Sequence, residues 1–206
     1  MQRRHKTWVW VIDFQIVKIK ALLDACVLYP MTIRDLLLSF ADEELFKPFW
    51  SEEIQKEWKR NLLLNRPDLD PERLERTIFA MDEYFPDASV TDWTTVPSGQ
   101  INLPDEDDHH VLAAAIKCEA DYLVTSNLKD FPAGELEKFN IKPIHPDDFC
   151  LLLIQQNRKS AIRGFNKLVG RLKNPPRSKS DVLTMLKMTD LPKSSSLLAA
   201  LTENPH

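Results

Sequence analysis

Four acidic residues in a row at 105–108 are the strongest sign of chemistry in this sequence, because they run directly into an apolar helical segment. On a helix, Asp108 points to the same side as Val111 and Leu112, three and four residues further on. A carboxylate that faces the interior must be neutralised, hydrogen-bonded or bound to a cation. We therefore expect a metal site at Asp108. The ordinary alternative is a first-turn acid that complements the helix dipole, with Asp105 as the N-cap.

Two further acids have positions that suit the same site. Asp24 ends a predicted buried strand, and in open α/β sheets ligands bind beyond the carboxyl ends of the strands. Glu57 borders the apolar stripe formed by Ile54 and Trp58 on a predicted helix. The alternatives are a strand-ending Asp that caps a turn and a solvated Glu that pairs with a neighbour on its own helix.

The segment Thr125-Ser126-Asn127-Leu128-Lys129-Asp130 follows another predicted strand. Its polar side chains should therefore lie at the same sheet edge as Asp24, although Asx-type turns use the same residue types. We expect both descriptions to hold in part for Thr125, Ser126, Asn127 and Asp130.

The predicted ligands are oxygen atoms, which suit Mg²⁺ or Mn²⁺. His109 and His110 have no partners at a usual zinc spacing, so we expect packing or surface positions for them. The sequence contains no G-x-S-x-G motif and no glycine-rich phosphate loop, and it has only four glycines. The chemistry that fits is hydrolysis of a phosphodiester by a metal-activated water.

Predicted strands and helices alternate through the first three quarters of the chain, which indicates an α/β fold with a mainly parallel sheet covered by helices on both faces. From Pro146 onward the pattern is entirely helical and predicts a small C-terminal extension. The predicted strands are 19–24, 45–50, 88–90, 121–125 and 141–144. The predicted helices are 32–41, 51–64, 72–84, a helix from Pro104 to about Glu119, 134–139, 147–157, 160–172, 179–188 and 194–201.

The composition suits a cytoplasmic protein of ordinary globular type. The 206 residues are 43% apolar and 28% charged, with a net charge of −4 and three cysteines that form no close pairs. We predict no membrane span and no cleaved targeting signal. The predicted division is an N-terminal extension at 1–17, an α/β domain with the candidate metal site at 18–147 and a helical extension at 148–206. Residues 8–17 could form a strand or an arm, and translation that begins near Val17 is an alternative.

The helical extension is basic. Nine lysines and arginines lie between Arg158 and Lys187, with Asp181 as the single acid. Basic side chains of this kind contact nucleic-acid phosphates, although a solvated helical surface explains the pattern equally well. The residues predicted to contact RNA are Arg158, Lys159, Arg163, Lys167 and Arg171.

Together these segments resemble the PIN domain of VapC-type toxins. Asp24 in Leu-Leu-Asp-Ala-Cys-Val-Leu, Glu57 in the helix that follows Trp50-Ser51 and Asp108 before His-His-Val-Leu-Ala-Ala-Ala are similar to the family's acids. The segment that begins at Thr125 is similar to its last motif. The resemblance covers roughly residues 18–147 and is specific in combination. The basic tail resembles the helical extension of one PIN subgroup.

The resemblance implies a ribonuclease toxin of a type II toxin–antitoxin system, with RNA as substrate, a cognate antitoxin as partner and often a homodimer. It also implies Mg²⁺ or Mn²⁺ held by Asp24, Glu57, Asp108 and a fourth acid. Many relatives carry that acid where this chain has Asn127, so the fourth ligand is either Asp130 or an amide, and either one or two metals fit.

Two other functions remain open from the sequence. A catalytically weak or inactive PIN relative that binds RNA or a partner protein is compatible with Asn127. A phosphatase of the haloacid dehalogenase type also begins with a strand-ending Asp. That class needs a second Asp two residues later, where this chain has Cys26, so we rank it low.

Overall fold

The computed structural model describes residues 18–203. At its centre is a parallel sheet of four strands in the order β2-β1-β3-β4. Leu22 in the middle of β1 pairs with Phe49 on one side and Leu123 on the other. The strands are β1 (Lys20–Leu23), β2 (Lys47–Phe49), β3 (Tyr122–Val124) and β4 (Lys142–Ile144).

Ten α-helices accompany the strands in the described part of the chain. Four of them, α7 to α10, follow the last strand and form the helical C-terminal region. The helices are α1 (Ala25–Leu28), α2 (Met31–Asp42), α3 (Glu52–Asn65), α4 (Pro71–Tyr84), α5 (His109–Lys117), α6 (Ala133–Leu136), α7 (Pro146–Gln156), α8 (Arg158–Arg171), α9 (Lys179–Met188) and α10 (Pro192–Glu203).

Both faces of the sheet are covered. Ala21, Leu22 and Leu23 are successive residues of β1, so they alternate between the faces, and all three have 0% exposure. Helix α5 packs against β1 and β3, and α2 packs against β2. The predicted α/β fold with a parallel sheet and a helical C-terminal region is confirmed.

The C-terminal helices pack back onto the rest of the molecule. Helix α8 crosses α2, and α10 packs against α7 and α9. The division at residue 147 stays a prediction, and the predictions for residues 8–17 lie outside the described residues. Among the helices within 18–203, none has both the length and the apolar character that crossing a membrane requires.

Two sequence predictions need correction. The predicted strand at 88–90 makes only an isolated bridge between Ser89 and Trp50, because the chain at Trp50 turns at once into α3. The predicted helix after Pro104 starts as a 3-10 turn at Glu106–Asp108, and the α-helix begins at His109. Asp108 is thus the residue that precedes α5, and its side chain is half-buried rather than turned into the core.

Candidate functional site

Asp24 lies at the carboxyl end of β1, as the sequence predicts. Its backbone N–H donates to the carbonyl oxygen of Val124 over 3.1 Å, and its own carbonyl oxygen accepts from Val27 and Leu28 in α1. The residue is only 5% exposed. Because backbone bonds to β3 and α1 hold it on both sides, its side chain leaves the sheet edge in a fixed direction.

The carboxylate of Asp24 accepts two side-chain hydrogen bonds, both at Oδ2. The hydroxyl of Thr125, which follows β3, donates over 2.7 Å, and the thiol of Cys26 donates over 3.0 Å. The backbone N–H of Ser126 donates to Cys26 Sγ over 3.3 Å, and that of Asn127 donates to Thr125 Oγ1 over 3.0 Å. The carboxyl ends of β1 and β3 are therefore joined through side chains.

Glu57 reaches the site from α3. Ser51 caps this helix, since its hydroxyl accepts from the N–H of Ile54, and Trp58 anchors it in the core. Glu57 Oε2 lies 3.4 Å from His110 Nε2. Glu57 thus pairs with a side chain from another helix, and not with the neighbours on α3 that the sequence suggested as an alternative.

Asp108 and the acids around it differ in environment. Asp105 is the cap, because its side chain accepts from the N–H of Asp107 over 2.9 Å, while Glu106 and Asp107 are exposed. Asp108 is half-buried. Its pKa is raised from 3.8 to about 7, first by burial and then by the negative charge of Asp24. Asp108 is the member of the acidic run that belongs to the site.

The loop after β3 is both a turn and part of the site. The N–H of Asp130 donates to the carbonyl oxygen of Asn127 over 3.2 Å, and the side-chain amide of Asn127 donates to Asp130 Oδ2. Lys129, which is largely exposed, has its Nζ 3.8 Å from the same carboxylate. Asn127 thus positions Asp130, the acid that the sequence offered as the fourth carboxylate.

The predicted acids act on one another electrostatically. Burial, and to a smaller extent the charge of Glu57, raise the pKa of Asp24. The charges of Asp24, Asp105, Asp130 and Glu57 all raise the pKa of Asp108. Burial is the largest cause of both shifts, and the smaller charge contributions mean that the acids at this edge of the sheet repel one another.

The donor chemistry of this edge fits a hard divalent cation. Within residues 18–203, no three His, Cys, Asp or Glu side chains stand together as a ready-made metal site. Mg²⁺ takes only one or two carboxylates directly and keeps several waters, so a looser set of acids can hold it. A bound cation would also relieve the repulsion that raises the pKa of Asp108. The residues that could supply oxygen ligands to such a cation are Asp24, Glu57, Asp108 and Asp130.

Sequence reasoning missed two side chains at this edge. His110 was expected to have a packing or surface position, and its ring does lie 6.0 Å from that of Trp93, but its contact with Glu57 was not expected. Cys26 entered only as the residue that argues against a phosphatase, yet it contacts Asp24. The sequence did offer a sign of both residues. Cys26 lies two residues after Asp24, and His110 lies two residues after Asp108, so each is close in the chain to a predicted ligand.

The basic residues of α8 fall into two groups. Arg163, Lys167 and Arg171 form ion pairs with Asp42 and Glu43 at the end of α2, at distances from 2.6 to 3.2 Å. The end of α2 precedes β2, so these pairs lie toward the amino ends of the strands, away from Asp24. Arg158 and Lys159 at the start of α8 are exposed.

Two parts of the chain match known protein families. Residues 20–129 match the family described as PIN domain, and residues 146–200 match the one described as VapC50 C-terminal domain. A Mycobacterium tuberculosis protein named "Putative ribonuclease VapC50" is 40% identical over 82 residues. This match covers 38% of the chain and 47% of that relative, so it spans about half of the relative's length. No solved structure matches the chain.

Proposed function

The chain belongs to the PIN domain family, and we propose that it is a metal-dependent endoribonuclease that acts as the toxin of a type II toxin–antitoxin system. The observation that carries the proposal is the placement of its acids. Asp24 follows β1, Glu57 lies in α3, Asp108 lies in the turn before α5 and Asp130 lies in the loop after β3. The charges of the other three raise the pKa of Asp108.

The chain's own side chains would prepare this edge for a cation and an RNA phosphate. Thr125 orients Asp24, His110 contacts Glu57, and Asn127 orients Asp130. Mg²⁺ or Mn²⁺, when bound, supplies an activated water and stabilises the leaving oxygen of the phosphodiester. Ser126 lies beside Asp24 through its contact with Cys26, and we place it next to the substrate.

The substrate and partners follow from the family and from the relative. The name of the Mycobacterium tuberculosis protein describes a ribonuclease, which supports RNA as the substrate of this chain. A cognate antitoxin as inhibitor and a homodimer as the assembled form are also part of the proposal. We place the activity in the cytoplasm, where the free thiols of Cys26, Cys118 and Cys150 would stay reduced.

A second function has one observation in its favour. Asn127 donates to Asp130 Oδ2 and so occupies an oxygen that the proposed enzyme would offer to a cation. A PIN relative that has lost tight metal binding and instead binds RNA or a protein partner would tolerate this bond. Calorimetry with Mn²⁺ separates the two functions, since the inactive relative should bind the ion weakly or not at all.

Cleavage of total RNA by the purified protein, with and without EDTA, tests the main proposal. We expect Mn²⁺-dependent cleavage that Asp24→Asn and Asp108→Asn abolish. Asp107→Asn is the matched control, because this exposed neighbour of Asp108 carries the same charge outside the site. Cleavage that persists in EDTA, or that survives in both Asp24→Asn and Asp108→Asn, would refute the mechanism. Mapping of the new RNA ends would identify the cleavage site.

A further inference from the structure

The thiol of Cys26 bridges the two strand ends that form the site. Sγ lies 3.0 Å from Asp24 Oδ2, 3.4 Å from Thr125 Oγ1 and 3.3 Å from the backbone nitrogen of Ser126. Cys26 itself belongs to α1, the short helix directly after β1. The side chain therefore connects the segment after β1 with the segment after β3.

The chemistry of the neighbours fixes the direction of these hydrogen bonds. The backbone N–H of Ser126 can only donate, so Sγ accepts from it. Oδ2 of Asp24 accepts from the thiol, as it does from the hydroxyl of Thr125, so the thiol proton points to Oδ2. Cys26 thus takes one hydrogen bond from the loop after β3 and gives one to the acid at the end of β1.

We propose that Cys26 is a positioning residue for metal binding. Together with Thr125 it holds Oδ2 of Asp24, and the other carboxylate oxygen, Oδ1, is then presented to the cation in a constant orientation. The proposal rests on the proposed function in so far as Asp24 is taken to bind a divalent cation. Ligand carboxylates are commonly held by hydrogen bonds in this way.

The other two cysteines show what a thiol without this function looks like. Cys150 is fully buried within α7. Cys118 follows α5, and its thiol donates to the carbonyl oxygen of Ala115 over 3.5 Å. Among the three thiols, the one in contact with a proposed ligand is that of Cys26. Cys118 provides a matched control because it is also partly exposed.

Calorimetric titration of the metal-free full chain with Mn²⁺ tests the proposal without measuring activity. Loss of a residue that supports a metal ligand typically weakens metal binding by about 10–100-fold. Because thiols form weak hydrogen bonds, we expect Cys26→Ala to lower Mn²⁺ affinity about 10-fold. Cys26→Ser should recover part of that loss, since a hydroxyl can also accept from Ser126 and donate to Asp24. Cys118→Ala should bind Mn²⁺ as the unchanged chain does.

Three further measurements separate positioning from a general structural effect. Circular dichroism and urea unfolding in EDTA should show that Cys26→Ala is folded. If Cys26→Ala is not folded, the Mn²⁺ affinity of Cys26→Ser is compared with that of the unchanged chain instead. Cys26→Ser should be folded and should bind Mn²⁺ more weakly. The RNA cleavage lost by Cys26→Ala at limiting Mn²⁺ should return at saturating Mn²⁺, because the variant lacks affinity and not a reacting group.

Several results would overturn the proposal. Equal Mn²⁺ affinity in Cys26→Ala and the unchanged chain is one, and an equal loss in Cys118→Ala is another. Thiolate-to-metal charge-transfer absorption on addition of Cd²⁺ that disappears in Cys26→Ala would make Cys26 a direct ligand instead. An unchanged chain that binds Mn²⁺ but cleaves no RNA would remove the nuclease proposal and leave this one intact. An unchanged chain that binds no Mn²⁺ would remove both.

Discussion

The hydroxyl of Thr125 donates a 2.7 Å hydrogen bond to Oδ2 of Asp24, and this contact connects the carboxyl ends of the two central strands. Both residues are buried, Thr125 completely. The acceptor is a carboxylate whose pKa is raised mainly by burial, so the hydrogen bond partly offsets the cost of keeping that group charged. The orientation of the first predicted metal ligand therefore depends on a neutral side chain from another strand.

Replacement of Thr125 tests this relationship. Thr125→Val keeps the shape but removes the donor, and we expect Mn²⁺ affinity to fall by about 10-fold or more because Asp24 loses its orientation. Thr125→Ser keeps the hydroxyl and should retain most of the affinity. Calorimetry on the metal-free protein measures both. Equal affinities of the Val and Ser variants would show that the hydroxyl has no part in metal binding.

Asp108 should make metal binding depend on pH near neutrality. Its pKa of about 7 means that it is largely protonated at pH 6 in the metal-free protein, whereas a cation needs the carboxylate. Mn²⁺ affinity should therefore rise with pH up to about pH 7, by up to about tenfold per unit for one released proton. Titrations at pH 5.5, 6.5 and 7.5 would measure this rise. A constant affinity over this range would contradict the proposed ligand.

The same group should affect the stability of the metal-free protein in the opposite direction. The folded-state pKa of Asp108 is raised above its ordinary value of 3.8, so between those pH values the folded state binds more protons than the unfolded state. Asp108 therefore contributes to the free energy of unfolding below about pH 4, and this contribution is lost as the pH rises to about 7. In EDTA, Asp108→Asn should lose less stability than the unchanged chain between pH 5 and pH 8 in thermal melts.

Asp147 should be a main point of attachment for α10. It is 2% exposed, and its two carboxylate oxygens accept from the backbone N–H groups of Lys193 and Ser194 over 2.9 and 2.8 Å. Asp147→Ala leaves both donors unpaired and should lower the free energy of unfolding by roughly 2–3 kcal/mol. Asp148→Ala, which removes an exposed ion pair to Lys193, should cost less than about 1 kcal/mol. Urea unfolding measures the free energy of unfolding of both variants. Equal losses in Asp147→Ala and Asp148→Ala would argue against a stabilising role of the buried Asp147 contacts.

Gly164 should be required where α8 crosses α2. A Cβ atom there would lie 2.9 Å from the carbonyl oxygen of Ser39 and 3.0 Å from Phe40 Cδ1. Gly164→Ala should destabilise the fold by about 1–3 kcal/mol through overpacking. Gly170 is in the same helix with open space around it, so Gly170→Ala should be neutral or stabilising by up to about 1 kcal/mol. Thermal unfolding measures the midpoint temperature of both variants. Equal changes in the two midpoints would mean that α8 does not pack against α2 at Gly164.

The basic residues of α8 should divide into RNA contacts and packing contacts. Replacing the exposed Arg158 and Lys159 together with Ala should weaken single-stranded RNA binding. The slope of the logarithm of RNA affinity against the logarithm of salt concentration should also become shallower by about 1–2. Each lost contact with a phosphate lowers this slope by roughly 0.7. Lys167→Ala should leave the slope unchanged, because Lys167 already pairs with Asp42 and Glu43. Fluorescence anisotropy in the Asp24→Asn background at several salt concentrations measures both. An unchanged slope in the double variant would favour a solvated surface.

The sequence predicted the sheet well because its signals are local. Ala21 to Leu23 form an apolar run that ends on an acid, and Ser51 is an N-cap type followed by two glutamates, so β1 and α3 can be read from neighbouring residues. The strand expected at 88–90 was wrong for the opposite reason. Ala88 and Val90 are buried and Ser89 between them is exposed, as in a strand, yet the segment can pair only with Trp50, which is followed at once by α3.

By itself, the sequence determined the α/β fold and the acids to consider, because residue type, periodicity and the order of strands and helices are properties of the chain. The tertiary structure alone decided which side chains from other segments contact those acids. Thr125 contacts Asp24, and His110 contacts Glu57, because the fold brings distant segments to one edge of the sheet. The contact of Cys26 with Asp24 is local, and its contact with Ser126 is the one that depends on the sheet. Hydrogen bonds of this kind need fixed distances and directions that residue spacing does not specify, and the same holds for the ion pairs that direct part of the basic helix toward α2.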